Sequence, residues 1–139
     1  MKRVLTSVFT ALLLSGCSST SSGSGLELAI ADELDACADL PVGDGEAGRG
    51  EEMSGHAARL REFVAWQERQ VQAFREGRPY ETSFYLGFMP EQALNECAAA
   101  FRTAGRAEQA ARAESLGVAY RAEQTAMVER IRREMGVQP

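Results

Sequence analysis

Between Met53 and Phe74 the chain returns to Met53, Ala57, Leu60, Val64, Gln67, Val71 and Phe74, at steps of three or four in which only Gln67 is polar. A repeat near 3.6 residues places such positions on one face of an α-helix, whereas strand side chains alternate with a period of two and would scatter them over both faces. Phe63 and Trp66 widen the same face. The spacing predicts a helix over 51–76, close to 40 Å long at ~1.5 Å per residue. A helix with an apolar stripe of that length must bury it against other elements, so the remainder of the chain decides the architecture.

That remainder is helical too. Leu26, Ile30, Leu34 and Cys37 recur at threes and fours, predicting a helix over 26–40 that Pro41 ends. Pro41 and Gly43, Gly45, Gly48 and Gly50 make the next ten residues a loop. Pro90 suits a first helical turn and Glu91 the positive end of the helix dipole, while Leu94, Cys97, Ala98 and Phe101 share a face. Gly105 marks a stop or a kink. A last helix over 106–135 carries Ala113, Leu116, Tyr120, Met127 and Ile131 on one side, and Arg130, Arg132 and Arg133 near its C-terminal end, before Gly136. No alternating strand pattern of useful length occurs. With 139 residues, 45% hydrophobic and 25% charged, the chain has the makings of one domain. The expected fold is all-α, a small antiparallel bundle of about four helices, two long and two shorter. Leu94, Ala98, Phe101, Gly105 and Ala110 resemble part of a tetratricopeptide helix pair; a solenoid needs about three units, so the resemblance implies a helix hairpin and no more.

The N-terminus has a different character. Lys2 and Arg3 precede the apolar run Val4 to Leu14, which is too short for a stable membrane span, and Leu14-Ser15-Gly16-Cys17 follows. In this order the segment resembles the signal peptide and lipobox of bacterial lipoproteins. The resemblance implies a signal peptide over 1–16, cleaved before Cys17, whose sulfur carries diacylglycerol and whose new amino group takes a further acyl chain such as palmitate. Each buried methylene contributes about 0.8 kcal/mol to membrane attachment, so two or three chains make it lasting. In that family Ser18, rather than Asp, implies export to the outer membrane, with the domain facing the periplasm. Residues 17–25 then form the lipidated cysteine and a Ser/Gly-rich tether reaching roughly 15 Å, and 26–139 the helical domain.

Once Cys17 is assigned to lipid, Cys37 and Cys97 remain as an even pair in a compartment that permits disulfides. A bridge between them would close a loop of about 60 residues and stabilise the fold by roughly 4 kcal/mol. Two buried free thiols among alanines are the alternative, because a small apolar residue suits those faces. Neither a Cys-x-x-Cys redox site nor a zinc site has the required spacing, and His56 is the lone histidine.

Without Lys2 and Arg3 the 15 basic residues become 13 arginines against 20 acids, a net charge of −7. Nine of those acids lie between Leu26 and Glu52, beside Arg49 alone. Such acidity argues against nucleic acid and against an electrostatic attachment to anionic lipid, and reads as a solvated helix face. Asp32, Asp35, Asp39, Asp44 and Glu46 lack the alternating spacing of a calcium loop. No metal or cofactor is expected.

Four of the nine aromatic residues after Cys17 fall in Arg78-Pro79-Tyr80-Glu81-Thr82-Ser83-Phe84-Tyr85-Leu86-Gly87-Phe88-Met89-Pro90. A loop this apolar must fold over the end of the bundle or offer a sticky surface. The first reading makes it a cap; the second makes Arg78, Tyr80, Phe84, Tyr85 and Phe88 a docking site for a protein or glycan of the envelope. Catalytic motifs are absent: His56 has no acid or nucleophile nearby in sequence and reads as solvent-facing or capping, and Glu51 and Glu52 diverge by about 100° on a helix. The expected function is therefore non-enzymatic. It is that of a lipid-anchored interaction or structural module or, alternatively, an inhibitor or immunity-type lipoprotein that blocks a toxin or hydrolase; an envelope hydrolase ranks behind both. The 3-4 seams also suit a homodimer.

Overall fold

The computed structural model describes residues 24–136 apart from 42, 44, 45 and 47. It contains helices α1 (Ser24–Ala38), α2 (Arg49–Arg75), α3 (Pro90–Thr103) and α4 (Ala107–Glu134), and no strand among the described residues. The fold is thus the all-α, four-helix bundle that the periodicity predicts. The signal segment and Cys17 lie outside the described residues, as does the Ser/Gly tract up to Gly23. Ser24 and Gly25, assigned to the tether, instead open the first turn of α1. No helix among the described residues is long and apolar enough to cross a membrane.

Two glycines set the topology. Gly77 and Gly105 adopt φ of 65° and 73°, a left-handed backbone that costs a side-chain-bearing residue roughly 1–2 kcal/mol. Each sits just past a helix end, where the following amide reaches back: Arg78 N–H donates to the Ala73 carbonyl and Arg106 N–H to the Phe101 carbonyl, both at 2.8 Å. These are Schellman turns, which satisfy carbonyls that the helix end would orphan. After Gly105 the chain enters α4 within two residues, and Arg102 pairs with Glu114 while Arg121 pairs with Glu91, so α3 and α4 form an antiparallel hairpin. α1 and α2 are antiparallel as well, Arg61 bridging back to Asp32 at 3.0 Å and Asp35 at 2.6 Å.

α1 is the middle of the bundle, packing on α2, α3 and α4. Its Ile30, Leu34 and Cys37 meet Met53, Ala57 and Leu60 of α2, Leu94, Cys97 and Phe101 of α3, and Ala110 and Ala113 of α4 in one fully buried cluster. Cys37 and Cys97 are joined by a disulfide with their Cα atoms 5.6 Å apart, tying α1 to α3 across that core.

The long helices outrun their partner. α1 has 15 residues against 27 in α2 and 28 in α4, so the stripe of α2 is buried at Met53, Ala57, Leu60 and Val64 and then emerges. Val71 and Phe74, counted in the predicted seam, are 48% and 65% exposed. Met127 and Ile131 of α4 are likewise exposed.

Candidate interaction surface

The Gly77 turn throws the chain back along α2, and residues 78–89 lie against that helix as an extended strap. Proline makes it extended at both ends: Arg78 precedes Pro79, and Met89 before Pro90 has φ −103° and ψ 111°, the conformation that a following proline ring enforces. Contacts then descend the helix in antiparallel order. Tyr80 meets Phe74 edge to face with centroids 5.5 Å apart. The backbone amide of Glu81 donates to Gln70 at 2.6 Å, and its carboxylate accepts from the Trp66 indole at 2.8 Å. Phe84 packs between Phe63 and Trp66, at 5.4 and 5.5 Å, with the Arg59 guanidinium 4.2 Å above its ring. Arg59 also donates to the Tyr85 carbonyl. Phe88 stacks on His56 at 4.0 Å and, with Leu86, reaches the core cluster.

The stretch is therefore not a cap over the end of the bundle. Phe63 and Trp66 widen α2's apolar face beyond what α1 covers, and the strap is what covers the excess. Along it the environment alternates: Phe84, Leu86 and Phe88 are half-buried, while Tyr85, Gly87 and Met89 between them are exposed. This is the period of two that any extended segment imposes, here without pairing into a sheet among the described residues. Of the five residues read as partner anchors, Phe84 and Phe88 are engaged inside the molecule. Tyr85 is 83% exposed and Tyr80 50%, and Arg78, also exposed, is paired with Glu76. Met89, 68% exposed, belongs to the same outer side. The x-Phe-x-Leu-x-Phe alternation is the sequence signal that separates inner from outer residues.

His56 is neither solvent-facing nor a cap: one face of its ring is covered by Phe88, with Nε2 3.6 Å from a Glu52 oxygen. The acidic stretch is not uniformly a solvated face either. Asp32 and Asp35 are held by Arg61, but Glu27 and Glu33 are buried, at 5% and 6% exposure, in the seam between α1 and α4. Burial pushes the Glu27 carboxyl above its ordinary 4.5, and the nearby Glu123 carboxylate pushes it further. Glu33 is raised by burial too, with the Arg112 guanidinium 3.8 Å away opposing the shift. Burial likewise raises the Tyr120 hydroxyl, helped by Glu27 and Glu123. One oxygen each of Glu27, Glu33 and Glu123 accepts no hydrogen bond.

A buried acid with a raised pKa holds its proton more tightly when folded than unfolded, so it removes stability as pH rises from the unfolded value through the folded one. Glu27 and Glu33 thus make the domain less stable at neutral pH than near pH 4.5. Glu27→Gln is expected to flatten this decline and to stabilise the neutral protein by about 1 kcal/mol. Thermal melts of both proteins across that range check it; parallel profiles would refute it.

These elements define a small disulfide-bridged helical domain whose most distinctive surface is an aromatic strap laid along α2. Comparison with protein-family models, with curated proteins and with solved structures gives no match to this chain.

Proposed function

We propose that this is a lipid-anchored interaction module of the bacterial envelope, held through Cys17 in the outer membrane and facing the periplasm, that works by binding an envelope protein through the outer side of the strap. The observation that carries the reading is Tyr85: a large aromatic side chain, 83% exposed, on a backbone fixed from behind by Phe84 and Phe88. Aromatic side chains dominate the energetics of interfaces, and one presented on an already ordered segment loses little conformational entropy on docking. Met89, also exposed, extends the same side, and the exposed Tyr80 and Arg78 lie at the start of the strap. The anchor rests on the lipobox resemblance and on Cys17 standing apart from the internal Cys37–Cys97 bridge.

Photo-crosslinking in cells tests this, with a benzophenone amino acid in place of Tyr85 and, as control, of Ala58, which is exposed on α2. A discrete adduct at Tyr85 alone is the expected result, and its mass names the partner. A resident envelope protein would identify a structural module, and a secreted toxin or hydrolase an inhibitor. No adduct from a folded, membrane-bound Tyr85 variant would overturn the docking role. Cys17→Ser is expected to release the protein into the soluble fraction; continued membrane attachment would overturn the anchor.

A further inference from the structure

The two overrunning helices leave the bundle at the same end. Arg61 of α2 lies beside Asp32 and Asp35, so α1 gives out near position 70 of α2, and the last turn of α2 and the Gly77 turn project past it. In α4, Arg112 lies 3.8 Å from Glu33 and the Glu123 carboxylate acts on Glu27, so α4 runs antiparallel to α1 and α1 gives out between about positions 121 and 126, leaving roughly 12–20 Å of helix beyond it at ~1.5 Å per residue. α3 does not reach that far, since its first turn is at Arg121. The inner stripe of α4, buried at Ala110, Ala113 and Gly117, continues along the helix through Met127, Ile131 and Met135, which are 40%, 45% and 71% exposed. Phe74 is the exposed apolar group at the tip of α2.

This is also the end from which the chain leads to Cys17. We infer that the projecting ends of α2 and α4 are a membrane-contacting face, resting on the phospholipid bilayer that holds the lipid on Cys17; the inference rests on the anchored reading above. Length supports it: six residues separate Cys17 from Ser24, and a Ser/Gly-rich segment of that length spans about 15 Å, close to the overhang of α4. An anchor this short brings the helix ends to the headgroups. The segment itself cannot cover the apolar stripe, because residues 18–23 are serine, threonine and glycine. Arg130, Arg132 and Arg133 flank Ile131 at the projecting end, interleaved with Glu129 and Glu134, so this end is near neutral, whereas Asp39, Glu46, Glu51 and Glu52, with Arg49 among them, make the opposite end, around the α1–α2 loop, acidic. The overall acidity of the chain weighs against electrostatic attachment of the whole domain; it weighs less on this end. Apolar side chains flanked by arginine are what inserts at a headgroup boundary.

The test uses the lipidated mature protein in vesicles of phosphatidylethanolamine and phosphatidylglycerol, with a nitrobenzoxadiazole label on Ile131→Cys or, as control, Ser54→Cys near the other end. Both positions are exposed and the native pair is bridged, so the labelled proteins keep the fold. Lipids carrying a quencher on the acyl chain are expected to quench the label at 131 several-fold more than that at 54. Equal quenching in protein that floats with the vesicles overturns the membrane face while leaving the anchor standing. A label at 131 that is shielded instead in a dimer captured by chemical crosslinking assigns the stripe to a second copy and overturns it too. Protein that fails to float overturns the anchor and this inference together.

Discussion

Removing the disulfide, by replacing Cys37 and Cys97 with alanine or by reduction, is expected to lower the stability of the domain by about 4 kcal/mol, the chain-entropy value for a closed loop of 60 residues. For a domain of this size that corresponds to a fall in Tm on the order of 20 °C. The effect is large because the core is thin. Of its buried apolar residues, Ala31, Ala57, Ala93, Ala98, Ala110 and Ala113 remove little area from water, and α2 meets the α3–α4 hairpin mainly through α1. The bridge crosses that same junction, so opening it frees the two hairpins in the unfolded ensemble while the native contacts between them stay few. Thermal melts with and without reductant decide the matter, and coincident curves would refute it.

The second large effect is expected at Phe101. It is the largest wholly buried side chain and lies on the face of α3 that carries Leu94, Cys97 and Ala98. Its neighbours along α3, Ala98, Ala100 and Ala104, are too short to fill the space it vacates. Phe101→Ala is therefore expected to cost about 3–5 kcal/mol, from lost burial plus an unfilled cavity. Urea unfolding with an unchanged slope is the check, and a loss under about 1 kcal/mol would show that the site repacks. Because Phe101 is one turn from Cys97, its effect should not add to that of the disulfide, and the double-mutant cycle reads the coupling.

What could be read ahead of the structure follows from how local each signal is. The 3-4 repeats of α1, α2 and α3, Pro90 at the start of α3 and Gly105 at its end are properties of neighbouring residues, and they placed the helices within a few positions. Val71, Phe74, Met127 and Ile131 continue the same repeats and yet are exposed, because periodicity reports which face is apolar and not how far a partner helix extends. Glu27 and Glu33 carry no local mark of burial; the crossing of α4 over α1 buries them. Phe84 and Phe88 were marked as conspicuous by composition, but whether an aromatic side chain faces outward depends on what lies behind it. Here that is the widened face of α2.

By itself, then, the sequence determined an all-helical chain, the loops between its helices, a pair of cysteines available to each other, and an aromatic segment unlike the rest. Tertiary structure alone decided that α1 lies at the centre, that Cys37 and Cys97 meet, and that the aromatic segment doubles back on α2 with Tyr85 outward. It also decided that two helices run past the bundle at one end. The physical reason is that helix formation and chain reversal are settled by backbone geometry and residues within a turn or two, whereas burial is settled by which apolar faces find one another across tens of residues.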